Sequence, residues 1–162
     1  GYTGLSEKAP CNLENLYITH NSIEFINSSF FINMTCLKNL YLNNNRLTSL
    51  PDHLSFLTQV FPQLVHIQVQ GNKMQRISEN FFRNLPYLQY FNAEGQSPPL
   101  LHFPFFGPCK EALTDIHLNN NDIDKIPLEA LLNDNDNETH IAEMALREFH
   151  IYGNKLIPVH TY

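Results

Sequence analysis

Apolar residues recur along this chain in a short alternating beat, and the beat itself returns at a nearly constant interval. In the segment Leu37-Lys38-Asn39-Leu40-Tyr41-Leu42-Asn43, apolar positions at 37, 40 and 42 are separated by polar or amphipathic ones. Alternation through Leu40 and Leu42 predicts a short strand with one buried face, from whose other face Asn39, Tyr41 and Asn43 project. The same beat opens at Leu13, Leu37, Leu64, Leu88, Leu113 and Leu146, as LENLYITHNSI, LKNLYLNNNRL, LVHIQVQGNKM, LQYFNAEGQSP, LTDIHLNNNDI and LREFHIYGNKL. Five of the six fit L-x-x-L-x-L-x-x-N-x-L, with Ile, Val, Phe or Met in place of Leu, and the starts are 24, 27, 24, 25 and 33 residues apart. A unit this short cannot bury its own apolar edge. Neighbours must stack, so the pattern predicts a solenoid whose parallel strands line one face.

Asparagine changes the picture next. It fills 20 of the 162 positions, far more than a chain of strands alone would use. Asparagine favours turns, where its side chain can satisfy backbone groups. Asn21, Asn45, Asn72, Asn121 and Asn154 all stand where the chain leaves a strand, and form a structural ladder whose amides bond the turn and the neighbouring rung. The fourth repeat departs from this, with Gln96 in the asparagine position and Pro98 in the apolar position that follows. Proline has no N–H to give to a ladder, so a remodelled turn and a bend are expected there.

The second half of each repeat carries Ile26, Leu50, Ile77, Leu101 and Ile126, then Phe31, Phe82 and Phe106, then Met34, Leu85 and Cys109. With segments such as ISENFFRNLPYL, the chain resembles extracellular leucine-rich repeat proteins of the 24-residue class, which include Toll-like receptor ectodomains and small secreted proteoglycans. The resemblance implies an α/β solenoid: a horseshoe fragment with short parallel strands on the concave face, an irregular or short helical convex side, and phenylalanines filling the convex core. It implies one domain over 1–162 with about six repeats, starting near 13, 37, 64, 88, 113 and 146. Neither end carries a cysteine-rich cap, which predicts a fragment of a longer ectodomain.

Composition supports a folded recognition module and removes several other classes. Hydrophobic residues make up 43% and charged residues 16%, too apolar a balance for a disordered chain. The net charge of -6 excludes a whole-domain basic footprint for nucleic acid. No apolar run reaches the roughly 18 residues of a membrane span, so membrane attachment is expected only through segments outside this chain. Glycosylation sequons stand at Asn27, Asn33 and Asn137, none of them on a strand, which leaves the concave face open. Cys11 and Cys36 precede the first two strands about one rung apart and are a candidate disulfide. Cys109 sits in a core position, buried or bonded to a cysteine elsewhere. Added residues near HLSFLTQVF predict a looser convex segment, and those in NDNDNETHI a projecting solvated loop, since the glycine of a calcium loop is missing.

Function is therefore sought on the outward strand positions. They form three columns: Asn15, Asn39, His66, Tyr90, Asp115, Glu148; Tyr17, Tyr41, Gln68, Asn92, His117, His150; and Thr19, Asn43, Gln70, Glu94, Asn119, Tyr152. Tyrosines and amides without Lys or Arg make a protein-recognition composition, and argue against phosphate-rich ligands. The expected contact residues are Tyr17, Tyr41, His66, Gln68, Tyr90, Asn92, Asp115, His117, Glu148, His150 and Tyr152. No phosphate loop, zinc motif or nucleophile elbow is present, so neither enzyme activity nor a cofactor is expected. Asp115, His117, Glu148 and His150 are the one constellation of metal-ligating types; the expected reading is binding surface, with no metal. The sequence thus points to a non-catalytic extracellular or cell-surface module that binds a protein or glycan through its concave face. The alternative is an intracellular leucine-rich repeat scaffold, which the phenylalanine class and the sequons disfavour.

Overall fold

The computed structural model describes residues 12–31, 34–51, 63–83, 85–131 and 144–158. Its strands are β1 (Asn15–Tyr17), β2 (Asn39–Tyr41), β3 (His66–Gln68), β4 (Tyr90–Asn92), β5 (Asp115–His117) and β6 (Glu148–His150). All pair in chain order as a single six-stranded parallel sheet. The register keeps like positions opposite one another: Leu40 faces Ile67, Ile67 faces Phe91, and Phe91 faces Ile116. These central residues are all at most 1% exposed and form the core behind the sheet. Leu16 and Phe149, in the outermost strands, are only partly covered.

The ladder continues past each strand. Ile18, Leu42, Val69, Ala93 and Leu118 donate their N–H to Tyr41, Gln68, Asn92, His117 and His150 carbonyls at 2.8–3.0 Å. Each rung then turns through one residue of positive φ: His20, Asn44, Gly71, Gly95, Asn120 and Gly153, at 55–69°. This left-handed region admits glycine freely and asparagine or histidine with modest strain. That requirement explains the pair Asn-Asn or Gly-Asn at the strand exits.

The amide ladder closes the turns. Asn72 Nδ2 donates to Leu42 O at 3.0 Å and Val69 O at 2.8 Å, while its Oδ1 accepts from Leu47 N at 3.0 Å. Asn45, Asn121 and Asn154 repeat the arrangement in their own rungs. Asn21 differs. It is exposed, and its amide bonds Thr19 O within its own turn, because among the described residues no rung precedes β1.

The turn of the fourth repeat is remodelled, as Pro98 leads one to expect, but the ladder survives it and Pro98 does not hold the place assigned to it. Gln96 does the work of the missing asparagine: Nε2 donates to Val69 O and Ala93 O, and Oε1 accepts from Met74 N at 3.0 Å. The longer side chain reaches the same groups, so the ladder is unbroken. Pro98 does not occupy the following apolar position; it is exposed, and the buried Leu100 takes that place, its N–H donating to Asn121 Oδ1 at 3.0 Å. The next core position moves with it, from Leu101, which is exposed, to the buried Phe103. The strand register on either side is undisturbed.

The far side of the solenoid is made of short 3-10 turns at Ser28–Phe31, Gly107–Cys109 and Leu128–Leu131, with no α-helix among the described residues. Phe31, Phe82 and Phe106 are fully buried there, and Phe82 packs edge-on against Phe91 at 5.0 Å between ring centres. Cys109 is a free, buried thiol that donates to Phe106 O; burial pushes its pKa up to about 12. Cys36 is disulfide-bonded, and Cys11 lies outside the described residues. So do Asn33, Asn137, the HLSFLTQVF segment and the NDNDNETHI stretch. Among the described residues no helix is long and apolar enough to cross a membrane.

Candidate functional site

In-register parallel strands hold corresponding side chains one strand spacing apart, about 4.8 Å, which is also a comfortable distance for stacked rings. Wherever one outward aromatic faces another, a stack is the natural outcome. Tyr17 and Tyr41 stack at 4.4 Å with 3° between their planes. The next residue in their column is Gln68, and the series crosses to the neighbouring column: Tyr41 meets His66 at 5.2 Å, tilted by 42°. His66 and Tyr90 stack at 4.2 Å and 1°. Asp115 comes next in that column, and the series crosses back, Tyr90 to His117 at 5.0 Å. His117 and His150 then stack at 4.3 Å and 7°. The result is a spine of rings, one from each of the six strands, running the width of the sheet.

Column-by-column reading of the sequence missed this spine, because it changes columns twice. The signal was present: each strand offers one ring at either its first or its third residue.

Amides flank the rings and fix their edges. Asn39 Nδ2 donates to Asn15 Oδ1 at 2.6 Å beside the tyrosine pair. Gln70 Nε2 donates to Gln68 Oε1 at 3.2 Å, which turns the Gln68 amide N–H₂ toward His66 Nε2 at 3.0 Å. The imidazole nitrogen there is thus an acceptor, the role of a neutral ring. Gln70 Oε1 is buried with no hydrogen-bond partner in the structure. Asn92 is 8% exposed and spent on its surroundings, accepting from Glu94 N and donating to the Tyr90 hydroxyl. The structure therefore places Asn92 beneath the surface, as a support for Tyr90. Tyr17 and Tyr152 are the most open of the expected contact residues with large side chains, at 67% and 64% exposed. Tyr152 stands in the third column, away from the spine.

The surface has one sign of charge. Asp115, Glu148 and Glu94 lie on it, and no Lys or Arg occupies any outward position of the three columns. Asp115 is hydrogen-bonded by the Thr114 hydroxyl. Partial burial holds the His66 pKa below the usual histidine range, against an opposing pull from Asp115. Burial also lowers His117, aided by the charge of His150 and opposed by Asp115, Glu148 and Glu94. Tyr41 is raised, by burial first and then by Tyr17 and Tyr90. At the β6 end, the ligand atoms of His117, Glu148 and His150 lie within 4.8 Å of one another. Asn27 is exposed at the entry to the first 3-10 turn, where its Oδ1 accepts from Ser29 N at 2.9 Å.

The family profile described as leucine rich repeat matches residues 11–62. Toll-like receptor 7 of Mus musculus is 30% identical in an alignment of 106 residues that covers 60% of this chain and 9% of the receptor. The chain therefore spans about a tenth of the length of that relative. The fold is the leucine-rich repeat solenoid, and the chain resembles the Toll-like receptors among the proteins that carry it.

Proposed function

We propose that this chain is a non-catalytic recognition module that binds a protein partner along the concave sheet, as part of an extracellular or cell-surface protein. The single observation that carries the reading is the spine of six rings bordered by amides. Rings supply contact area with few rotors to freeze, and amides adapt their hydrogen bonds to a partner's backbone. Stacking against one another also pre-orders the rings, which lowers the entropy lost on binding. Glycan rings stacking on the exposed Tyr17 are a further ligand chemistry for the same surface. The extracellular placement draws support from the disulfide-bonded Cys36, which suits an oxidising compartment, and from the exposed sequon at Asn27.

A glycan wedge tests the proposal. Tyr41→Thr turns Asn39-Leu40-Tyr41 into a sequon and plants a glycan on the outward face of β2; Tyr41→Val removes the ring without adding one. The secreted chain is screened against arrayed extracellular proteins and glycans. Binding that the wedge abolishes and Tyr41→Val merely weakens supports the reading. Binding that survives a fully occupied wedge places the contact elsewhere and overturns it.

A further inference from the structure

The spine ends at β5 and β6 in a group of donors with a different chemistry. The register sets Asp115 opposite Glu148 and His117 opposite His150. Both histidine backbones are pinned: Ala93 N donates to His117 O at 3.0 Å, and Leu118 N to His150 O at 2.8 Å. The two imidazoles lie face to face, 4.3 Å between centres and 7° from parallel. Glu148 Oε2 sits 3.4 Å from His150 Nε2. One ligand atom from each of His117, Glu148 and His150 falls within 4.8 Å of the other two.

We propose that His117, His150 and Glu148 form a site for a borderline divalent transition-metal ion of the zinc type. Two imidazoles and one carboxylate are the donor set such an ion accepts, with a fourth tetrahedral position left open. Zinc bonds of about 2.0–2.2 Å place tetrahedral donors roughly 3.4 Å apart. The three donors must therefore close by little more than an ångström, which rotation about the side-chain torsions of half-exposed residues supplies. The local field favours the ion: Asp115 and Glu94 are close enough to act on His117, and no Lys or Arg occupies the outward columns. Asp115 is not among the three residues whose ligand atoms converge, and the fourth position is open to water or to a donor side chain of a partner. The site stands on the isolated chain, so its test is independent of whether a partner binds the concave face.

The test is calorimetric titration of Zn²⁺ into the untagged, metal-free chain at neutral pH, with Co²⁺ absorption as a second readout. The expected result is one equivalent bound, with intense visible bands from tetrahedral Co²⁺. His150→Gln, His117→Gln and Glu148→Gln should each weaken binding by about tenfold or more, equivalent to about 1.4 kcal/mol. All three positions are outside the core, and thermal melts check that the variants fold. His102→Gln, at an exposed histidine away from the cluster, should leave the affinity unchanged. Absence of stoichiometric binding overturns the proposal. So does binding that persists in the cluster variants or that falls equally in His102→Gln.

Discussion

Asn72 shows what one side chain contributes to a rung. It is 2% exposed and bonds three backbone groups of two successive rungs. Asn72→Ala leaves the Leu47 N–H buried without that partner and reduces Leu42 O and Val69 O to the donors supplied by Asn45 and Gln96, and should destabilise the chain by roughly 1–3 kcal/mol. Tyr17→Ala, at an open position whose ring stacks on Tyr41, should cost less than about 1 kcal/mol. Chemical denaturation of the two variants measures both; equal losses would show that the amide is not the fastening described. Residues of this kind were legible in the sequence because a buried turn admits few side chains that can both donate and accept. Gln96 shows where that legibility ended. One added methylene kept every bond of the ladder, so a position that reads as a defect is intact. Pro98 misled for a related reason: alignment assigns it the core position, whereas the chain sets it outside and brings Leu100 in.

At the scale of the strand, the alternation that marks one face as core also fixes which residues face outward, but not how outward side chains meet. Ring stacking depends on torsions and strand twist, which is why the crossing from Tyr41 to His66 and from Tyr90 to His117 could not be read from columns. The six-ring spine has a consequence for pH. His66 in β3 lies between Tyr41 and Tyr90, accepts from the Gln68 amide, and has its pKa lowered by burial, with Asp115 the one charge opposing. A histidine whose folded pKa is depressed takes up its proton more readily in the unfolded chain. The folded state is then at full strength above the unfolded value, near 6.5, and loses stability as pH falls below it toward the lowered folded value. His117 shifts in the same direction and adds to the effect. The melting temperature should therefore drop between pH 7.5 and 5.5, and His66→Gln should reduce the drop. A melting temperature that stays level or rises on acidification would contradict the neutral, acceptor role given to His66.

The whole molecule divides its labour between two faces. The buried side is a continuous stack of aliphatic and phenylalanine side chains, with every turn fastened by an amide. The open side carries rings and acids, and the convex turns carry the exposed Asn27 sequon. The net charge of -6 and the absence of Lys and Arg from the outward columns make the sheet electrostatically complementary to neutral or basic surfaces. The central claim is that this face makes the contact. It is tested most directly by placing a photo-crosslinking benzoylphenylalanine at Tyr90, in the middle of the spine, and separately at the exposed Phe30 in the first convex turn. With a partner bound, irradiation should attach it covalently through position 90 and leave position 30 unmodified. Crosslinking through position 30 with none at position 90 would contradict the account.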